Sequence, residues 1–305
     1  MTANEPLPDT WENALAAFEN DLYRRDRSEK TVAIYRSCLQ NFALFYLHEH
    51  QKPGPFIARL HENDLKAFID HIRYDRRLSA SSVNLYIAAL RAFSSFILLK
   101  RWHRRLLSRD LKRHRIDINS PPASLSRKEV RRMIAAVNEK SRNAPRNMAL
   151  LQLMLQCGLR VGEIVRLSRD DVTLHKTIGC LRVRSAKQEH ERTIPLNATA
   201  RRALQDHLDA LIPGSGSDPL FISERGRRMG VGAVQYLVKK YLCFAGREDL
   251  SANDLRNHFA MEFYKRSGKL TATQKVLGHR NINTTTRYAR ATDRDIQEPI
   301  DALDP

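Results

Sequence analysis

Apolar residues recur at helical spacing through the first 115 positions of the chain. Trp11, Leu15, Phe18 and Leu22 step by four, three and four, which sets one apolar stripe on a helix that Asp9 or Thr10 caps. Ser28 opens a second helix through Val32, Tyr35, Leu39 and Phe42. Asn63 caps a third that bears Leu65, Phe68, Ile69 and Ile72, and a fourth carries Val83, Ile87, Leu90, Phe93 and Ile97. The pattern predicts a compact unit of four or five helices over residues 1–115.

The character then changes. Pro121 and Pro122 interrupt a polar segment and forbid helix continuation, so residues 116–124 read as a linker. Ser126 and Glu129 form a capping box that starts a new helix and a second domain, 125–305. Within it "TIGCLRVR" and "ERTIPL" alternate as two strands of a small sheet, while the rest keeps helical spacing. The fold class is therefore mainly α with a small β-sheet. No internal repeat or low-complexity segment interrupts it.

Charge adds a partner to this picture. Among 305 residues, 52 Lys and Arg oppose 34 Asp and Glu, a formal net charge of +18, which calls for a polyanion: nucleic acid first, an anionic membrane surface second. No apolar run approaches the ~18 residues of a bilayer span, and the N-terminus lacks the basic and apolar regions of a signal peptide, so the chain reads as cytoplasmic. Cys38, Cys157, Cys180 and Cys243 lie far apart without C-x-x-C spacing, as small buried hydrophobes do. The cations are densest at Arg101, Arg104, Arg105, Arg109, Lys112, Arg113 and Arg115, next to the linker. Such a run forms either a solvated face or a surface that contacts the DNA backbone, and its place between two domains favours DNA.

Candidate chemistry is scattered along the second domain. Gly158 ends one helix and Arg160 starts the next, where a fixed charge joins unpaired backbone N–H groups and suits a phosphate; an ordinary surface pair with Glu163 is the alternative. Lys187 lies in the turn between the two strands, a position usually solvated. Arg256 stands near the start of a helix with Phe259, Ala260 and Phe263 on its apolar face. His279 precedes Tyr288 in "LGHRNINTTTRYAR". A tyrosine attacks as a nucleophile only where positive charge and hydrogen bonds favour the phenolate, because its ordinary pKa is about 10; otherwise it is a core residue.

The order and spacing of "GLRVGEIVRLSRDDV", "AKQEHERTIPL", "DLRNHFA" and "LGHRNINTTTRY" resemble the four catalytic boxes of the tyrosine recombinase, or phage integrase, family. The resemblance includes Glu163, Asp171, Pro195 and Leu196, and it extends to the helical first half, residues 10–115. It implies a SAM-like core-binding domain followed by an α+β catalytic domain of the simple two-domain, Xer-like or transposon-encoded type. The implied chemistry is a strand exchange free of metal and ATP, with no cofactor. Tyr288 attacks a DNA phosphate to form a 3′-phosphotyrosyl link and free a 5′-hydroxyl. Arg160 and Arg256 clamp the non-bridging oxygens, Lys187 protonates the leaving oxygen and His279 hydrogen-bonds the phosphate. The implied partners are double-stranded DNA core sites, a homodimer on one site, a homotetramer when two sites pair, and an accessory DNA-bending or excision factor, with no membrane. The acidic tail, with Ile296, Ile300 and Leu303, is expected to dock on a neighbouring protomer.

One position departs from the family. Its second arginine box reads H-x-x-R, and here Asn253 stands where the histidine belongs. An amide gives and accepts hydrogen bonds but does not titrate near neutral pH. His258 is rotated about 140° away from position 253 on a helix, whereas Asn257, one turn on, is nearer the same face. Two further readings stay open: a type IB topoisomerase with the same chemistry, and a DNA-binding regulator that keeps the fold without cleaving.

Overall fold

The computed structural model of the chain describes residues 7–8, 10–50, 57–115, 122–184, 191–211, 218–279 and 282–289. The chain separates into two compact units, Met1–Asp117 and Ile118–Pro305, each with its own apolar core.

The first unit contains α1 (Trp11–Arg24), α2 (Glu29–His50), α3 (Glu62–Asp70) and α4 (Ala80–Leu99). Thr10 caps α1 by accepting the Asn13 amide at 3.1 Å, and Ser79 caps α4. The third helix is capped two residues earlier than expected. His61 takes the extended cap conformation and Asp64 Oδ2 accepts its amide at 2.7 Å, so Asn63 lies inside the first turn. Leu15, Phe18, Leu39, Phe42, Phe68, Ile87 and Phe93 are buried together, each contributing about 1.5–3 kcal/mol by leaving water.

Two features go beyond the sequence pattern. α4 is 20 residues long with a mean hydropathy of 1.5, enough by length and composition to cross a membrane, which the reading of the sequence did not expect. Its Val83, Ile87, Leu90, Phe93 and Ile97 face the core of the unit, as in a central soluble helix. The basic stretch after α4 is also anchored. Arg101 takes a left-handed φ of 59°, and Trp102, Leu107 and Leu111 then fold back into the core. Arg91 donates to the Leu111 carbonyl, and Asn84 exchanges hydrogen bonds of 2.8 and 2.9 Å with the His114 backbone. Arg101, Arg104, Arg105, Arg109, Lys112, Arg113 and Arg115 are left exposed on this pinned segment.

In the second unit, α5 (Arg127–Lys140) starts at the Ser126–Glu129 capping box, with Ser126 N donating to Glu129 Oε2 at 2.6 Å. α6 (Ala144–Cys157) is buried nearly all round from Ala149 to Leu155 and packs against α5, α8 (Ala198–Asp209) and α10 (Ala252–Ser267). The four-residue α7 (Val161–Ile164) follows α6, α9 (Val231–Phe244) lies against α5 and α7, and α11 (Leu270–Leu277) and α12 (Thr286–Ala289) pack on α10.

The sheet has three antiparallel strands in the order β1 (Val172–Leu174), β2 (Gly179–Arg184), β3 (Glu191–Pro195). The first is too short for its alternation to register in the sequence. Register places Leu181 opposite Ile194 and Val183 opposite Arg192. Because residues two apart share a face, Arg192 enters the protein on the same side as buried Ile194. Residues 116–121, at the expected linker, and Lys187, in the turn from β2 to β3, lie outside the described residues.

Candidate active site

The site is assembled at helix ends. Gly158 closes α6 in a left-handed conformation, φ 62°, and a Cβ there would collide with the Phe259 ring and crowd Leu277. Only glycine permits this close approach of α6 to α10. The C-terminus of α11 closes in the same way at Gly278. Both ends leave carbonyls without helical partners, and one side chain takes them up. Arg256 of α10, 3 % exposed, donates from Nη1 to the Gly158 carbonyl and from Nη2 to the Leu277 carbonyl, each at 2.6 Å. A cation at two helix C-termini also meets the negative ends of their dipoles.

Glu163 is the anionic hub. It is 4 % exposed and accepts Arg192 Nη1 and Nη2 at 2.9 and 3.0 Å, Arg160 Nη1 at 2.9 Å and the Arg160 amide at 2.8 Å. Arg256 Nη1 stands 3.6 Å from the same carboxylate. Burial pushes the Glu163 carboxyl up, but Arg192, the Arg160 amide and Arg256 together hold it below the usual carboxylate range. Burial, then the charge of Arg160, brings the Arg256 guanidinium down to about 10, which leaves it cationic at neutral pH. Three guanidiniums against one carboxylate leave positive charge in excess, the condition for holding a phosphate.

Arg160 is 44 % exposed at its side chain and, with Arg256 and Asn253, lines an open cavity of about 570 Å³ bounded by α9 and α10. Tyr236 and Lys239 complete its rim, the lysine tied to the Glu248 and Leu250 carbonyls. Asn253 is exposed here, on the same side as the arginines. His258 lines a different cavity with Arg127, Arg131 and Glu262, so it does not stand in for a histidine at 253.

His279 follows α11 directly. Its Nδ1 pairs with the Thr285 hydroxyl at 2.9 Å and its ring lies nearly parallel to that of Tyr288, 18° apart with centroids at 6.4 Å. Tyr288 of α12 is 3 % exposed among Phe259, Ala260 and Leu277, and its hydroxyl donates to Asn257 Oδ1 at 3.0 Å. Burial first, then the charges of Arg256, Arg160 and Arg192, lowers the His279 pKa to about 4. The ring is neutral at pH 7.

A pH dependence follows from this depression. The unfolded chain, with an ordinary imidazole near 6.5, binds more protons than the native state between pH 4 and 6.5, so native stability falls as pH drops through that window and is insensitive to His279 above it. His279→Gln, which keeps a polar side chain but does not titrate, is expected to flatten the fall in melting temperature from pH 6.5 to 4. Identical slopes for both proteins would mean that His279 keeps an ordinary pKa.

Arg160, Asn253, Arg256, His279 and Tyr288, apart in sequence, thus meet around the ends of α6, α10 and α11. Arg192 and Asn257 belong to the same network; Arg192 was not singled out from the sequence, and Asn257, named there only as nearer the face of position 253, instead reaches Tyr288. Arg192 shares strand parity with Ile194 and Leu196, the one signal that would have placed it inside. Among the described residues, no group of three or more His, Cys, Asp or Glu side chains could hold a metal ion.

Residues 123–295 match the model of the phage integrase family, and residues 15–104 match the N-terminal SAM-like domain of phage integrases. The chain is 30% identical to the tyrosine recombinase XerC of Roseiflexus castenholzii, over 90% of this chain and 87% of that protein. It is 31% identical to the tyrosine recombinase XerD of Pseudomonas putida, over 89% and 90% respectively. Among solved structures, the XerH site-specific recombinase bound to difH substrate in a pre-cleavage complex shares the fold with a TM-score of 0.72 at 20% identity, over 98% of this chain and 91% of that one.

Proposed function

The chain belongs to the phage integrase family of tyrosine recombinases, and from that premise we propose that it exchanges strands between two paired DNA core sites with Tyr288 as the nucleophile. The reading rests chiefly on one observation: Arg160 and Arg256 converge on the Leu277 carbonyl, beside an open cavity, while the next residue of α10, Asn257, holds the Tyr288 hydroxyl.

In this reading the phosphate enters the cavity and its non-bridging oxygens meet Arg160 and Arg256. Donors fixed before the reaction stabilise charge that develops in it without further reorganisation. Glu163 aims the two arginines, His279 offers Nε2 to the phosphate because Thr285 engages Nδ1, and Asn253 supplies a hydrogen bond without titrating. The Tyr288 oxygen bonds to phosphorus, the bond to the 5′-oxygen breaks, and Lys187 gives that oxygen a proton. The phosphotyrosyl link conserves the bond energy until the 5′-hydroxyl of the partner duplex attacks it. No cofactor enters these steps.

The exposed cations from Arg101 to Arg115 contact the DNA backbone from the first unit, where Trp102, Leu107 and Leu111 hold their segment rigid. Two protomers occupy one core site and four assemble when two sites pair, the acidic tail passing between neighbours and an accessory bending or excision factor setting direction. The λ integrase dimer bound to a COC′ core site and the λ integrase tetramer bound to a Holliday junction are assemblies of this kind in proteins of the same fold. A chain with a net charge of +18 suits work on the nucleoid, in the cytoplasm.

The test is to offer the protein a library of nicked suicide duplexes with randomised centres, in EDTA. Covalent adducts are expected, and the recovered sequences define the core site. A duplex carrying two such sites is then expected to give recombinant products. Binding without adducts makes the chain a regulator, adducts without recombinants make it a topoisomerase, and adducts that vanish in EDTA reveal a required metal.

A further inference from the structure

α10 turns two adjacent residues in different directions. Arg256 lines the cavity with Asn253, whereas Asn257, 5 % exposed, reaches Tyr288. The orientation of its amide is set from behind. Asn257 Nδ2 donates to Asp254 Oδ1 at 3.2 Å, and Asp254 Oδ2 accepts the Ser251 amide at 2.9 Å and the Ser251 hydroxyl at 2.7 Å. An ionised carboxylate only accepts, so Nδ2 must face Asp254 and Oδ1 must face the phenol. Donation therefore runs from the Tyr288 hydroxyl to Asn257 and from Asn257 to Asp254, the carboxylate that Ser251, at the cap of α10, meets from the other side.

A side-chain amide neither takes nor gives a proton near neutral pH, so Asn257 is not a base. It supplies a single acceptor at a fixed place, which orients the phenolic O–H and with it the lone pairs of the oxygen. Attack on phosphorus needs that oxygen in line, and a misplacement of about 1 Å can cost 100-fold in rate. The neighbouring charged and titratable groups are Arg160, Glu163, Arg256 and His279; the charge of Arg256 couples to the phenol, and the Tyr288 hydroxyl donates to Asn257.

We propose that Asn257, braced by Asp254 and Ser251, is a positioning residue that aligns the Tyr288 oxygen for attack; this rests on Tyr288 being the nucleophile. When the O–P bond forms, the phenolic proton passes to water and the 5′-oxygen leaves with a proton from its own acid. Asn257 exchanges neither.

The test uses the full chain and a suicide duplex whose core sequence comes from wild-type adducts, so failure of the wild type to form adducts overturns the assignment of Tyr288 and not that of Asn257. Asn257→Leu, close in volume and without a polar atom, is expected to bind the duplex as wild type does and to cleave about 100-fold more slowly. The loss is expected to be the same on a duplex with a 5′-bridging phosphorothiolate, whose leaving group needs no proton. Asn257→Asp keeps an acceptor facing the phenol, and its cleavage is expected to show an acidic limb that wild type lacks, because a carboxylate titrates where an amide does not. A loss under tenfold in a leucine variant that binds overturns the proposal. So does a loss that disappears on the phosphorothiolate, which would put Asn257 on the leaving-group side, or an aspartate profile that matches wild type. If the leucine variant does not bind, Asn257→Ser is measured on the same two substrates against the same limits.

Discussion

Tyr288→Phe is expected to bind duplex DNA with wild-type affinity and to form no covalent adduct on a suicide substrate, the largest loss of activity from any single atom in the chain. The phenylalanine ring keeps the contacts with Phe259, Ala260 and Leu277 that bury residue 288, so α12 stays packed. The guanidiniums proposed to meet the phosphate are held by Glu163 and by the Gly158 and Leu277 carbonyls, which the substitution leaves in place. Binding therefore survives. What disappears is the attacking atom, together with one hydrogen bond to Asn257, whose buried Oδ1 is left unpaired at a cost of about 1–3 kcal/mol. A modest drop in melting temperature should accompany the complete loss of cleavage. Gel shift and denaturing gels on the same duplex check both halves, and an adduct formed by the phenylalanine protein would place the nucleophile elsewhere.

How much of this was legible beforehand depends on the range of the interaction. The helices of the first unit were readable because each carries its own stripe, as Trp11, Leu15, Phe18 and Leu22 do on α1. Arg160, Arg256, His279 and Tyr288 stood out through the flanking motifs that carry the family resemblance, not through any property of a lone arginine or tyrosine. The hub was hidden for a different reason. Glu163 read as one half of an ordinary pair with Arg160, because nothing local announces that Arg192, 29 positions away, completes it through the register of β3. The cap of α3 was misplaced by the same limit: asparagine is a strong cap by preference, yet Asp64 reaching back to His61 sets the cap two residues earlier. The basic stretch was read as charge alone, whereas Trp102, Leu107 and Leu111 make it part of a core.

Glu163→Ala is expected to damage both stability and cleavage, and it is the substitution that most directly probes how the site is built. Removing the carboxylate leaves Arg160, Arg192 and Arg256 converging without an anion, and Arg256 is 4 % exposed at its side chain. Breaking a buried ion pair from one side costs about 3–5 kcal/mol, since the remaining charge stays buried without compensation. For a unit of this size that corresponds to a fall in melting temperature of roughly 6–20 °C. The sign of the pH dependence gives a second reading. Because the folded carboxyl is held below its ordinary range, its contribution is fully present above about pH 4.5 and is lost as pH falls through the folded value, so wild type and variant should converge in strong acid. Cleavage should fall by about 100-fold or more, as for the loss of a transition-state donor, because Arg160 and Arg192 lose the partner that aims them while Arg256 keeps only its carbonyls. Glu163→Gln preserves the shape and accepts one guanidinium hydrogen bond, so it should fall between the two in both measurements. An alanine variant that melts within a degree of wild type and cleaves at the same rate would mean that the arginines are held by the carbonyls of Gly158, Val276 and Leu277 alone.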